Sequence, residues 1–139
     1  MENNAVITID GIQTIGTESS DTHLMCEGVY TYGEDRTKIV YRQIDPDDNM
    51  SYKTIINVTK DKVVMIKEGA FNLRMEFCVG SRYVGSYETP YGVINMGINT
   101  ALVEHKLDEK GGVIKLKYLL EMGDIAETLN ETEVKISLI

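Results

Sequence analysis

Residues 114–122 read Ile-Lys-Leu-Lys-Tyr-Leu-Leu-Glu-Met, and this stretch decides the fold class. Apolar side chains occupy every second position from Ile114 to Met122, and Lys115 and Lys117 stand between them. A period of two is typical of a β-strand that turns one face to a core and the other to water. Residues 133–138 repeat the pattern at the end of the chain. Because one wet face is typical of antiparallel sheets, the sequence predicts an antiparallel arrangement.

Similar segments recur along the whole chain and are rich in Val, Ile, Thr and Tyr, which pleated surfaces favour. Besides the two C-terminal strands, the predicted strands are Val6–Ile12, Thr22–Tyr32, Thr37–Ile44, Tyr52–Val58, Val63–Lys67, Leu73–Cys78, Arg82–Glu88, Gly92–Ile98 and Ala101–Leu107. Turns with Gly, Pro, Asn or Asp separate many of them. No long stretch has helical periodicity, and residues 123–130 are predicted as a hairpin loop, with one helical turn as the alternative.

The predicted strands form one domain over residues 1–139, without a linker or an internal repeat. About ten up-and-down strands leave two exposed edges unless the sheet closes on itself. Gly28, Gly85 and Gly97 lie inside strand patterns, where glycine marks bends or bulges. We therefore predict an all-β fold, a single closed antiparallel β-barrel of about 8–10 strands.

The chain has 139 residues with 14 Lys and Arg, 22 Asp and Glu, and a net charge of −8. This charge argues against nucleic-acid and anionic-membrane partners, because both are bound through Lys and Arg. The first residues do not form a signal peptide, and no apolar run reaches the roughly 18 residues that span a bilayer. Cys26 and Cys78 are expected to be reduced and buried, so the cytoplasm is the expected location.

The chemically reactive residues form no pattern that indicates catalysis or metal binding. The two histidines, His23 and His105, and two distant cysteines give no zinc spacing. Residues 45–49 are spaced like the start of a calcium loop, but Met50 stands where that loop needs Gly. Glu88 could be a catalytic acid, yet glycosidase chemistry needs a second placed carboxylate. The sequence therefore predicts no enzyme, no cofactor and no metal.

Residues 88–100 read Glu-Thr-Pro-Tyr-Gly-Val-Ile-Asn-Met-Gly-Ile-Asn-Thr and resemble the signature of the YwiB-like family of uncharacterised bacterial proteins. The resemblance extends over essentially the whole chain, and includes residues 7–11, 27–30, 67–70 and 111–112. It implies a calycin-like, lipocalin-like barrel and no known activity. The chain departs from true lipocalins because it has no Trp, and so lacks their Gly-x-Trp motif.

Tyrosine is the residue type that points to an interior binding site. There are 8 Tyr, 2 Phe and no Trp, and Tyr combines an apolar ring with a hydroxyl that needs a partner. Small barrels can enclose one ligand on apolar walls with a few polar groups. We interpret the protein as a non-enzymatic binder of a small apolar or amphipathic molecule. The candidate lumen residues are Tyr30, Tyr41, Tyr87, Met96, His105 and Tyr118.

A packed lumen is the main alternative. The protein would then be a structural or protein-interaction barrel, with Leu119 in an exposed apolar patch and a homodimer as one outcome. His105 could equally be a satisfied polar residue in an apolar wall. Arg42 and Arg74 could hold a carboxylate, but the alternation around Arg74 favours solvent. Residues 88–100 are hypothesised to matter first for folding, because Gly97 and its neighbours set the backbone.

Overall fold

The computed structural model describes residues 2–44, 49–69 and 72–139, with the backbone alone at 125 and 126. Within these ranges the strands are β1 Ala5–Ile15, β2 Glu18–Thr31, β3 Thr37–Ile44, β4 Ser51–Val58, β5 Val63–Glu68, β6 Asn72–Phe77, β7 Arg82–Thr89, β8 Gly92–Asp108, β9 Gly111–Met122 and β10 Ile125–Leu138. Each strand pairs with the next, and β1 pairs with β10. The described residues contain no helix able to cross a membrane. The pairing of all ten strands confirms the predicted closed antiparallel barrel.

β8 joins two segments that were predicted as separate strands, Gly92–Ile98 and Ala101–Leu107. Its pairing with β9 shifts by one residue between Thr100 and Leu102, which is a β-bulge. Even-numbered residues face inward before the bulge and odd-numbered residues face inward after it. The period of two is therefore broken, although the strand continues.

The hairpin loop predicted at residues 123–130 is much shorter in the structure. Only Gly123 and Asp124 separate β9 from β10, and Gly123 has a φ of 57° that suits glycine. Thr128 is buried and Asn130 is half-buried, so the inward face of β10 is polar at these two positions. The sequence of this part of β10 has no alternation of apolar and polar residues, so the strand could not be predicted from periodicity.

The core consists of alternate side chains from every strand except β7, whose inward side chains are only half-buried. The largest fully buried residues are Phe77, Ile7, Ile39, Ile56, Ile98 and Ile114. Burying one such side chain stabilises a protein by roughly 1.5–3 kcal/mol. The rings of Phe77 on β6 and Tyr118 on β9 have centroids 4.6 Å apart, so the core joins strands that are not neighbours in the sheet.

Two seams of the barrel have few paired residues. β2 pairs with β3 only from Gly28 to Thr31, and β6 pairs with β7 only at Asn72 and Leu73. By contrast, β8 and β9 are paired along almost the whole of β9. We refer to these two places as the β2–β3 seam and the β6–β7 seam. They are the least connected parts of the wall, and strand separation there requires the fewest broken hydrogen bonds.

The three strand glycines are not bulges, because the pairing passes through them without a register shift. Gly28 allows close packing between β1, β2 and β3: a Cβ there would overlap the carbonyl oxygen of Val40 and lie 2.5 Å from Ile7 Cδ1. At Gly97 a Cβ would meet only the guanidinium group of Arg82. The glycines therefore provide space, and Gly28 is the one surrounded by backbone and core.

Candidate functional site

Strand register aligns five side chains along the inside of the barrel, and we call them the Lys67 row. Tyr41 stands opposite Thr54, and Thr54 stands opposite Lys67. Lys67 stands opposite Leu73, which in turn pairs with Tyr87 across the β6–β7 seam. On β5, Lys67 continues the inward face of Val63 and Met65, which are 0% and 9% exposed. The row therefore places a lysine, a threonine and two tyrosines on adjoining strands of the inner wall.

Three of the six predicted lumen residues lie in or beside this row. Tyr41 is 4% exposed, and burial raises its pKa to about 12. The nearby Thr54 hydroxyl offsets part of that rise, and the Cys26 thiol adds to it. Tyr87 is half-buried, and burial raises its pKa as well. Met96 is buried on β8, two positions beyond Ile94, the residue that pairs with Tyr87. At neutral pH both tyrosines keep their hydroxyl protons and can donate hydrogen bonds.

Tyr118 also faces inward, but it belongs to the packed core. It is 9% exposed and contacts Phe77, and burial raises its pKa, an effect that the Thr132 hydroxyl partly offsets. Thr100 stands opposite Tyr118 on β8. The phenol is thus part of the contact between opposite walls, and a ligand would have to displace or stack on it.

Tyr30 closes one end of the barrel. Its hydroxyl donates a hydrogen bond of 2.7 Å to the carbonyl oxygen of Asp108, at the end of β8. The Asn4 amide bonds both main-chain polar groups of Tyr30, at 2.7 and 3.0 Å. Burial and the Asp108 carboxylate raise the pKa of Tyr30 to about 12. All polar groups of Tyr30 thus have protein partners, so its inward position is explained by the fold without a ligand.

His105 faces inward from β8, with Val103 and Leu107 on the same side. Its Nε2 lies 3.0 Å from the carbonyl oxygen of Lys60 in the turn between β4 and β5, so Nε2 donates the bond. The side chain therefore links two distant parts of the barrel. This contact favours the interpretation of His105 as a satisfied polar residue over that of a ligand contact.

The inner wall carries polar groups that have no partner. Thr54 Oγ1 and Thr100 Oγ1 are fully buried and meet no group in full hydrogen-bonding geometry among the described residues. Thr54 Oγ1 is close enough to the Tyr41 phenol to lower its pKa, but their contact falls short of hydrogen-bond geometry. The Lys67 ammonium forms no hydrogen bond or ion pair with any residue that the structure describes. Burial alone lowers the pKa of Lys67 from its usual value. A buried polar group without a partner costs free energy, so the adjoining Thr54 and Lys67 mark one place on the inner wall where a ligand could bind, and Thr100 on β8 marks another.

Lys67 was not among the predicted lumen residues. Residues 63–66 are apolar on both faces, so the alternation that locates an inner face is missing there. The signal that could have found it is the hairpin register, since Lys67 is two residues beyond Met65. Arg42 and Arg74 are both exposed, and Arg74 pairs with Glu76 at 3.0 Å, so the expectation that Arg74 faces solvent is confirmed.

A polar cleft of about 160 Å³ lies beside the β2–β3 seam. It is lined mainly by inward-facing side chains of β1, β2 and β10: Gln13, Ser20, Thr22, Asn130 and Thr132. In this part of β2 no residue pairs with β3. The cleft is therefore a hydrophilic part of the inner wall beside one of the two seams with few paired residues.

The outer wall carries a larger groove of about 640 Å³ across β1, β2, β8, β9 and β10. Its large apolar members are Ile12, Leu102 and the buried Leu116, and charged side chains surround the outward-facing Ile12 and Leu102. His23 Nδ1 lies 2.5 Å from Asp10 Oδ1, and Lys117 lies 3.7 Å from Glu131. These exposed ion pairs stabilise the fold by at most about 1 kcal/mol each. Leu119, which is half-buried, also faces outward beside this groove.

Other candidates from the sequence find no site. No group of three or more His, Cys, Asp or Glu side chains in the described ranges could hold a metal ion. Residues 45–48, which contain most of the calcium-like spacing, lie outside the described residues. Cys26 and Cys78 are free thiols. Both are half-buried, whereas the sequence predicted that they would be buried. Glu88 is exposed.

Comparison with known proteins gives the same architecture and no activity. A protein of Bacillus subtilis (strain 168), the uncharacterized beta-barrel protein YwiB, is 24% identical over 99 residues, which cover 71% of this chain and 70% of that protein. The crystal structure of ywiB protein from Bacillus subtilis is similar with a TM-score of 0.87, over 99% of this chain and 92% of that one, at 16% identity. This likeness concerns the fold alone. The family described as a domain of unknown function, DUF1934, matches residues 7–136, and the chain therefore belongs to that family.

Proposed function

We propose that this protein is a non-enzymatic binding protein that holds a small amphipathic molecule inside its barrel. The observation that carries the proposal is that two buried hydroxyls on the inner wall, Thr54 Oγ1 and Thr100 Oγ1, meet no partner in full hydrogen-bonding geometry among the described residues. Leaving a buried polar group unsatisfied costs about 1–3 kcal/mol. A ligand that hydrogen-bonds to these groups and covers the surrounding apolar wall recovers that free energy.

The methionines of the inner wall support a lumen that can adapt to a guest. Met65, Met75 and Met96 are buried, and Met122 is half-buried on the same inward face. Methionine has three rotatable bonds and a polarizable sulfur, so it repacks around different shapes more easily than branched residues. The interior can therefore admit a ligand by rearranging flexible side chains.

The β6–β7 seam offers a route into this interior. Tyr83 and Tyr87 are half-buried on the inward face of β7, and only two residue pairs hold β7 to β6. Separation of these strands exposes the Lys67 row without breaking the rest of the sheet. We also propose the cytoplasm as the location, since both free thiols suit a reducing compartment.

Binding can be tested with a neutral probe that fluoresces in apolar surroundings, N-phenyl-1-naphthylamine. We expect saturable fluorescence with the wild type and weaker binding to Leu73→Trp, because the larger side chain fills the lumen at the seam. Arg74→Trp is the matched control, since Arg74 is the next residue on the same strand and faces solvent. Absence of saturable binding to the wild type, or equal binding to both variants, would contradict the proposal.

An interaction barrel with a packed lumen is the second candidate, and the outer groove favours it. That groove of about 640 Å³ has two outward-facing apolar members, Ile12 and Leu102, within a charged rim, as protein interfaces do. A homodimer formed through this face should separate into monomers in Leu102→Glu. Sedimentation of the wild type as a monomer at high concentration would exclude the homodimer hypothesis.

A further inference from the structure

We infer that the ligand presents an anionic head group, and that Lys67 holds it with the hydroxyls of Thr54 and Tyr41. The inference rests on the proposed lumen binding and specifies its chemistry. Lys67 is then a ligand-binding residue. This role follows from the positions of the charged side chains on the inner and outer faces of the barrel.

The inner wall is electrically different from the rest of the molecule. The chain has a net charge of −8, with 22 acidic residues. In the described strands, strand register turns these carboxylates to the outer face, except for Glu18 at the exposed tip of the β1–β2 hairpin. Lys67 is the lysine on the inner wall of those strands. An acidic protein therefore carries a half-buried positive charge on the inner wall of its barrel.

A partly buried ammonium without an ion-pair partner is unfavourable unless something compensates its charge. Burial lowers the pKa of Lys67, which is the sign that its charged form is penalised. Neither Thr54 nor Leu73, its two register neighbours, carries a charge. Lys67 also lines an open groove of about 470 Å³, but the charged members of that groove face outward and form no ion pair with it: Glu68, Arg74 and Glu88. An anion bound beside Lys67 supplies the missing partner, and the strong interaction between opposite charges in a low-dielectric interior favours it.

The neighbours of Lys67 complete a head-group site. The Thr54 hydroxyl is fully buried, and its contact with the Tyr41 phenol on β3 falls short of hydrogen-bond geometry. The phenol is protonated at neutral pH, because burial raises its pKa to about 12. One ammonium and two hydroxyls on three adjoining strands can all donate to the oxygens of a carboxylate. The tail then lies among Met65, Met75 and Leu73, which are apolar. An amphipathic carboxylate is the ligand class that matches both parts.

The test compares one fluorescent ligand in charged and uncharged form, 11-(dansylamino)undecanoic acid and its methyl ester. We expect the wild type to bind the acid at least tenfold more tightly than the ester. Lys67→Met keeps the length of the side chain and removes its charge. We expect it to weaken acid binding by about tenfold to a hundredfold and to leave ester binding unchanged, because a charged hydrogen bond is lost. Lys38→Met is the control, since Lys38 is exposed on β3.

The outcomes separate this inference from the proposed function. Equal affinity of the wild type for acid and ester, or an unchanged acid affinity in Lys67→Met, would overturn the anionic head group and leave lumen binding intact. Loss of binding of both ligands in Lys67→Met would also overturn it, because the lysine would then be acting on the lumen as a whole. Failure of the wild type to bind either ligand would overturn the inference together with the proposed function.

Discussion

Gly28→Ala tests how the barrel is packed at the β2–β3 seam. The added methyl group would overlap the carbonyl oxygen of Val40 and lie 2.5 Å from Ile7 Cδ1 and 3.0 Å from Tyr41 Cβ. Backbone and fully buried core cannot move aside as a surface side chain can, so strain or a shift of β2 must follow. Overpacking of this kind costs typically 1–3 kcal/mol. We expect the upper end, about 3 kcal/mol, because Gly28 also begins the short pairing with β3.

The assay is urea denaturation with thermal melting as a second measurement. A loss of about 3 kcal/mol corresponds to a fall in Tm of roughly 6–12 °C for a chain of this size. The slope of the free energy of unfolding against urea should stay constant if only the stability changes.

Gly97→Ala is the matched control, because the same methyl group there meets only a flexible side chain. It would displace the Arg82 guanidinium, whose Nη2 lies 2.7 Å from Glu121 Oε2 on the exposed outer wall. A fully exposed ion pair contributes little to stability, so Gly97→Ala should destabilise the protein much less than Gly28→Ala does. Equal losses in the two variants would refute the argument that backbone contact at Gly28 is what makes the position sensitive. Gly97→Val should likewise lower the Tm only slightly, since Gly97 has no positive φ to preserve.

Further expectations concern buried polar groups. Raising the pH from 10 to about 12 should destabilise the protein, because the pKa of Tyr41 is 10 in the unfolded chain and about 12 in the folded one. Tyr41→Phe should remove up to about 2–3 kcal/mol of this loss of stability. Urea denaturation at pH 9 and above pH 11 measures the difference. Lys67 has the opposite sign: its folded pKa is lowered, so the wild type gains stability as pH rises through that pKa towards 10.5. Lys67→Met should be most stabilising at neutral pH, and an advantage that does not shrink with pH would contradict this. Tyr30→Phe should cost about 1–3 kcal/mol, because it leaves the Asp108 carbonyl without its 2.7 Å hydrogen bond, and a neutral effect would show that water replaces the hydroxyl.

The alternation of apolar and charged residues was sufficient to predict the barrel and much of its inner face. Residues 114–122 form β9 with the predicted side inward, because one face of that strand is charged. Tyr41 and Tyr118 also face inward as predicted. Where one face is apolar and the other polar, the pattern in the sequence is the pattern of burial.

The sequence was less informative where both faces had the same polarity. Residues 63–66 are apolar on both sides, which hid the inward position of Lys67. The bulge after Thr100 reversed the inward face of β8 and made one strand look like two. Residues 125–130 lack an apolar face, so β10 was predicted too short. In each case pairing with a neighbouring strand fixes the geometry, and local periodicity does not contain that information.

Native mass spectrometry of protein purified gently from its own cells tests the central claim, lumen binding of an anionic amphiphile, most directly. We expect the wild type to carry an additional mass that is lost on denaturation, and Lys67→Met purified in the same way to carry much less of it. The released molecule should contain a carboxylate or another anionic group and an apolar tail. A wild-type protein that carries no additional mass, or the same bound molecule in equal amount on Lys67→Met, would contradict the account.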